Sequence, residues 1–167
     1  MDILSTLPKP FLILAPMDDV TDVVFRQIVA ECSPPDLYFT EFVNVDGLQS
    51  EGRPRLLKKL KVGQKDKPID AQIWGLKPEN FYEVAKQIGD GEFGEFVCID
   101  INMGCPEKNV VSHGACSGLI NNRELAVEII KATQKGAAGK LPVSVKTRLG
   151  FNEIDYTWLE LLLQQDL

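Results

Sequence analysis

Cys105 stands in Asn102-Met103-Gly104-Cys105-Pro106, directly after the strand-like run Phe96-Val97-Cys98-Ile99-Asp100-Ile101. Gly104 and Pro106 stop the strand, so the thiol falls on the turn past its carboxyl end, held by a rigid element yet open to a ligand. A thiol so placed can act as a proton donor or as a nucleophile. Side chains alternate along a strand, so Asp100 and Asn102 share one face while Val97, Ile99 and Ile101 take the other. The same every-second-residue polar pattern recurs in two more runs, as Asp70 and Gln72 and as Ser144, Lys146 and Arg148. Gln72 can donate and accept hydrogen bonds at once, and a fixed ammonium at Lys146 would stabilise negative charge on a bound group.

The elements that must position these residues can be read in order. Residues 11–15, ended by Pro16, predict a short, fully buried strand. Thr21 suits a helix N-cap with Val20 and Phe25 as a hydrophobic staple, and Val20, Val24 and Ile28 recur at helical spacing. Residues 37–40 predict a second strand and residues 53–61 a weaker helix. A third strand over residues 68–74 closes at Gly75. Pro78 opens a helix with Phe81, Val84 and Ile88 on one stripe and Gly89 at its exit. After the strand that leads to Cys105, Asn122 caps a helix carrying Leu125, Ala126, Ile129 and Ile130 that stops near Gly136. A fifth strand covers residues 141–148, and a last helix starts near Asp155 and runs to the end at Leu167.

Strands alternating with helices give successive parallel βαβ units and an α/β fold. The three polar series decide between a closed barrel and an open sheet. A barrel points each of them inward at the rim where such folds carry their sites, whereas an open sheet has no point where all three meet. The expected architecture is the (β/α)8 TIM-barrel type, with this chain supplying about the first five βα units. No repeat, linker or low-complexity tract divides residues 1–167, which read as one piece of a catalytic barrel.

At 44% hydrophobic and 25% charged residues, the 167-residue chain has ordinary globular composition. No run of about 18 apolar residues and no export-signal pattern occurs, so the expectation is a cytoplasmic protein that does not engage a membrane. Cys32, Cys98, Cys105 and Cys116 lack paired Cys-x-x-Cys spacing and the only histidine is His113, so no metal site is expected. Cys32 and Cys98 read as packing residues. Net charge is −6, yet residues 53–67 hold Arg53, Arg55, Lys58, Lys59, Lys61, Lys65 and Lys67 against the single acid Asp66. That stretch is either a solvated face or a contact for nucleic-acid phosphate.

The run Asp100-Ile-Asn-Met-Gly-Cys-Pro-Glu-Lys-Asn-Val, followed by Gly114-Ala115-Cys116-Ser117-Gly118-Leu119, resembles the signature of the tRNA-dihydrouridine synthases, flavin enzymes that reduce uracil bases in transfer RNA. Gln72-Ile-Trp-Gly75 and Val143-Ser-Val-Lys-Thr-Arg-Leu-Gly150 resemble further family segments. The resemblance covers about residues 10 to 155. It implies FMN as cofactor, NADPH as electron donor and tRNA as partner. It places Pro16, Met17 and Asp18 along the flavin and makes Gln72 and Lys146 flavin ligands. Asn102 is implied to read the uracil edge, with Arg148 better placed for substrate or RNA phosphate. Cys105 takes the position of the active-site cysteine. Reducing the C5–C6 bond of uracil needs a hydride at C6 and a proton at C5, and a free thiol with a pKa near about 8.5 is protonated at neutral pH and suits the acid role. Glu41, in Thr40-Glu-Phe-Val43, is either a pocket residue or a surface carboxylate. The family commonly has Gly where this chain has Cys116. His113 reads as a loop residue.

The resemblance also implies more chain: three strands, a histidine-containing motif, the flavin phosphate site and a helical C-terminal domain. Without those strands two sheet edges are open, so the expectation for this chain alone is weak or absent FMN binding, no catalysis and pairing of two copies through the open edges. Two other readings stand beside the enzyme: a flavin oxidoreductase of free pyrimidines, like a dihydroorotate dehydrogenase, and an inert folding unit or passive RNA binder. The dehydrogenase motif resembles Asn-x-Ser-Cys-Pro, unlike the Asn-Met-Gly-Cys-Pro found here.

Overall fold

The computed structural model describes residues 6–167; the start of the chain, where no export signal was read, lies outside them. The strands form one parallel sheet. In chain order β1 (Ile13–Leu14) is followed by α1 (Val23–Cys32), β2 (Leu37–Phe39), β3 (Val43–Asn44), α2 (Arg53–Leu56), β4 (Ile69–Trp74), α3 (Pro78–Gly89) and β5 (Cys98–Met103). Then come α4 (Lys108–Ser112), α5 (Arg123–Ala137), β6 (Val143–Thr147) and α6 (Tyr156–Leu163). The sheet order is β1-β2-β4-β5-β6, with β3 also paired to β4. All pairs are parallel and successive strands lie side by side, the winding of a partial TIM barrel.

The core lies between the sheet and its helices. Ile69, Ala71 and Ile73 of β4, with Ile99, Ile101 and Met103 of β5, pack against Phe81, Val84, Ala85 and Ile88 of α3 and Ala126, Ile129 and Ile130 of α5. Trp158 and Leu162 of α6 join the same cluster. Helices α3 and α5 approach closely because position 136 carries no side chain: a Cβ on Gly136 would lie 2.3 Å from the Tyr82 carbonyl oxygen. With the outer faces of β4 and β5 locked onto helices, their polar alternate positions must point the other way.

Several expectations fail at the two margins. The first strand is two residues long, and Leu12 and Ile13 are 70% and 42% exposed, because β1 pairs on one side only. The Val20, Val24 and Ile28 stripe also faces out, and α1 instead buries Arg26, with Val29 and Ala30 against the core. The N-cap is Asp22, whose carboxylate accepts from Phe25 N at 2.8 Å. Thr21 is unavailable for capping, since its hydroxyl accepts from Met17 N at 2.9 Å and donates to Met17 O at 3.0 Å. Cys32 is exposed, not packed. At the far margin Leu149, Ile154, Tyr156 and Leu163 are exposed. The last helix stops at Leu163, where Gln134 of α5 ties down the tail by donating to the carbonyls of Gln165 and Asp166 at 2.7 and 2.9 Å.

The remaining differences are local. The second strand breaks between β2 and β3, and there the Thr40 hydroxyl takes the N–H of Gln72 at 3.0 Å in place of a backbone carbonyl. The helix expected over residues 53–61 is one α-turn, α2, followed by a 3-10 segment, Leu57–Leu60. The central strand lies two residues further on than read, at Cys98–Met103, which brings Asn102 and Met103 inside the sheet.

Candidate active site

Strand register sets the inner polar face in rows. Asp70 stands opposite Cys98, Gln72 opposite Asp100 and Asp100 opposite Ser144, while Asn102 stands opposite Lys146. Hydrogen bonds join these rows into one chain. Ser144 Oγ donates to Asp100 Oδ1 at 2.7 Å, and Gln72 Nε2 donates to Asp100 Oδ2 at 2.6 Å. Asn102 Nδ2 then donates to Gln72 Oε1 at 3.0 Å. Finally Asn102 Oδ1 accepts from the backbone N–H groups of Gly104 and Cys105, at 3.1 and 3.0 Å. The turn that carries the thiol is therefore tied to side chains on β4 and β6.

Gln72 is fully buried and Asn102 nearly so, whereas Cys105 is half-buried on the turn. The Cys105 carbonyl accepts from Ser117 N at 3.3 Å, fastening the turn to the 3-10 segment Cys116–Asn121. Burial pushes the Cys116 thiol up to about 12, with the neighbouring Cys105 adding to the effect. Cys98, read as an apolar packing residue, is buried on the polar face, its sulfur 3.5 Å from Ser144 Oγ.

Two carboxyl groups lie beneath the chain. Burial, and then the charge of Asp100, raise Asp70 to about 7, and its Oδ1 has no hydrogen-bond partner among the described residues. Burial raises Asp100 to about 6, opposed by hydrogen bonds from Ser144 and Gln72 and by the charge of Lys146. Lys146 itself is exposed and forms no ion pair, with Asp70, Asp100 or any other acid, among the described residues. Arg148 is exposed just past the end of β6.

The Pro16–Asp19 turn borders the same strand-end face, after β1. Asp18 pairs with Lys59, which also bonds Asp19 at 3.0 Å and lies 3.5 Å from Glu41. Glu41 is 4% exposed and accepts from Asp19 N at 2.7 Å, so it is no surface carboxylate but an anchor for the turn. Burial alone would lower the Lys59 ammonium; its bonds to Asp18 and Asp19 outweigh that and hold its pKa above the ordinary value. Asp18, Asp19 and Glu41 cluster as metal ligands might, but the ammonium already sits among them. Met17 is 42% exposed above this anchor.

Arg53, Lys59, Lys65 and Lys67 of the basic stretch are engaged, whereas Arg55, Lys58 and Lys61 are exposed and form no ion pair among the described residues. Arg26 and Asp66 form a fully buried pair at 2.7 Å, Lys65 pairs with Glu31 at 3.1 Å and Lys67 pairs with Glu95. Arg53 donates to Leu48 O and covers the Phe93 ring at 5.6 Å. His113 is exposed at the end of α4, its Nδ1 2.6 Å from Asn109 O. Surface clefts between α5 and α6, lined by Arg123, Glu124, Thr157 and Glu160 among others, include none of the strand-end side chains.

Residues 13–163 match the family model described as "Dihydrouridine synthase (Dus)". The chain belongs to the dihydrouridine synthase family. A "Probable tRNA-dihydrouridine synthase" of Staphylococcus epidermidis is 49% identical over 166 residues, covering 98% of this chain and 49% of the relative. A Staphylococcus aureus protein of the same name matches over the same shares, and the "Probable tRNA-dihydrouridine synthase 2" of Bacillus subtilis is 48% identical over 96% of this chain. The chain thus spans about half the length of the curated relatives it matches. In this chain the left-handed backbone at Cys116, φ 50°, accounts for a position where the resemblance expects Gly. Sequence reading missed Asp100 as the hub of the chain; its signal was the parity it shares with Asn102.

Proposed function

We propose that this chain is the first part of an FMN-dependent tRNA-dihydrouridine synthase that reduces a uridine of tRNA to 5,6-dihydrouridine with NADPH as electron donor. The observation that carries the reading is one of placement. In a chain of this family, Cys105 lies on the turn after β5, fixed by Asn102, with Lys146 in the same row and Met17 exposed after β1.

The donor set fits a flavin. An exposed ammonium with no counter-ion among the described residues at the end of β6 suits a group that is anionic when reduced, and the turn at Pro16 and Met17, with Asp18 held off by Lys59, leaves Met17 exposed beside it. Gln72, expected to contact the flavin, is 0% exposed with its oxygen and one Nε2 hydrogen engaged, so it braces Asn102 from beneath the site. Held by the Pro16–Met17 turn and Lys146, FMN re-reduced by NADPH would supply the hydride for C6 of the uracil.

This chain's own residues do the rest. Cys105 gives its proton to C5. Asn102 keeps one Nδ2 hydrogen for a base carbonyl, since its oxygen is taken by the turn. Lys146 holds negative charge beside the base, and Arg148, outermost, takes phosphate. The base must leave its stack to reach the strand ends, so a flipped uridine is the substrate geometry. Further βα units, as the resemblance implies, would cover the apolar margins and complete the phosphate grip.

The test joins this chain to the second half of the Bacillus subtilis relative and follows NADPH oxidation by the flavin and dihydrouridine formation in unmodified tRNA. Cys105→Ala should keep flavin reduction and lower tRNA turnover by about 10²-fold or more. Undiminished dihydrouridine formation removes Cys105 from the acid role. Reduction of free uracil or orotate in preference to tRNA overturns the substrate.

A further inference from the structure

The hydrogen-bond chain across the inner face has a direction fixed at both ends. At one end the backbone N–H groups of Gly104 and Cys105 can only donate, so Asn102 must turn Oδ1 towards them. Its Nδ2 then faces Gln72, which must answer with Oε1 at 3.0 Å. That leaves Gln72 Nε2 pointing at position 100, and a side chain that accepts is required there. Asp100 fills it at 2.6 Å, while Ser144 holds its other oxygen at 2.7 Å. With a pKa of about 6, the carboxyl is charged at neutral pH and accepts on both sides. Each link pairs a donor with an acceptor, and no flip of either amide keeps the chain whole.

We propose that Asp100 is a positioning residue: gripped by Ser144, it fixes the Gln72 amide, and through Gln72 the Asn102 amide that braces the Cys105 turn. The inference rests on the proposed reading of the site, in which Asn102 presents its remaining Nδ2 hydrogen to the base. Asp100 is 2% exposed and acts through the two amides. Its effect is to decide which hydrogen-bonding atoms the two amides show, and to hold them rigid before anything binds. Ser144 belongs to the same device, because it orients the carboxylate that orients the amide. The nearby charged groups on adjacent strands, Asp70 of β4 and Lys146 of β6, form no hydrogen bond or ion pair with Asp100 among the described residues.

The test needs no bound cofactor and uses the full 167-residue chain. Hydrogen exchange is followed by NMR at the side-chain amides of Gln72 and Asn102 and at the backbone amides of Cys105 and, as a control, Ile99 and Ile101. Asp100→Ala should speed exchange most at Gln72 Nε2, then at Asn102 Nδ2, and at Cys105 N by a few-fold, on the order of ten-fold at the first, with Ile99 and Ile101 unmoved. Asp100→Asn, which can still accept from Gln72 and donate to Ser144 Oγ, should restore the ordered pattern. If Asp100→Ala fails to fold, Gln72→Met cuts the middle link, and Asn102 Nδ2 and Cys105 N must still respond. Faster exchange confined to Gln72, or an equal rise at Ile99 and Ile101, overturns the proposal. Dihydrouridine formation, measured separately in the completed protein, tests the functional reading: its absence with the exchange pattern intact would sink that reading and leave the hydrogen-bond device standing.

Discussion

Asp70→Asn should make the protein more stable at alkaline pH than at acid pH relative to wild type. The Asp70 carboxyl is 3% exposed, its Oδ1 is unpartnered among the described residues, and burial beside Asp100 raises it from 3.8 to about 7. The folded state therefore holds the proton over a range in which the unfolded chain has lost it. Stability falls as pH rises through that window and levels off above about 7. The displacement corresponds to about 4 kcal/mol, at roughly 1.4 kcal/mol per pH unit. An asparagine removes the charge but leaves an unpaired amide atom, a cost of about 1–3 kcal/mol that does not change with pH. Because the penalty is partly shared with Asp100, the expected swing in the stability difference between about pH 4.5 and about pH 8 is roughly 2–3 kcal/mol in favour of the variant. Urea denaturation of both proteins at the two pH values measures it directly. A difference that stays constant within about 0.5 kcal/mol would show that Asp70 is not a buried charge at neutral pH and would refute the reasoning.

Two further substitutions probe the frame that holds the site. Arg26→Met leaves Asp66 charged and fully buried and frees the carbonyls of Thr21 and Lys61, which Arg26 now bonds at 2.6 Å each, so a loss of about 3–5 kcal/mol in urea denaturation is expected. Adding Asp66→Leu should recover part of it, and no recovery would mean that the cost was packing rather than an orphaned charge. Gly136→Ala drives a Cβ to within 2.3 Å of the Tyr82 carbonyl and should cost about 1–3 kcal/mol by forcing α3 off α5, whereas an unchanged denaturation midpoint would show that the two helices have slack.

What could be read from sequence was what is local. Alternation with a period of two placed Asp70 and Gln72, Asp100 and Asn102, and Ser144 and Lys146 on one face, since a strand's parity depends on no neighbour. Asn122 and Pro78 likewise marked helix starts correctly because capping is a property of adjacent residues. The partners were another matter. Ser144 reaches Asp100 across 44 positions and Arg26 reaches Asp66 across 40, and both pairings follow from strand register and helix docking that no window of sequence contains. The Val20, Val24 and Ile28 stripe shows the limit of periodicity: it identifies a face correctly and says nothing of what lies against it.

The basic stretch is the sharpest case, because its partners divide it into spent and exposed cations. Seven cations within residues 53–67 suggest a phosphate track when counted along the chain. In space Lys59 is spent on the Asp18, Asp19 and Glu41 turn, Lys65 and Lys67 on Glu31 and Glu95, and Arg53 on Leu48 and Phe93. Lys59 thereby braces the wall of the site, while Arg55, Lys58 and Lys61 are exposed and form no ion pair among the described residues. Electrostatic attraction for a polyanion depends on charge left unneutralised, so the argument for phosphate contact rests on those three together with Lys146 and Arg148, exposed and likewise without ion pairs among the described residues at the end of β6. Lys146 shares the row that Asn102 occupies, and Arg148 lies beyond it. A base placed over that row would bring its own phosphate to them.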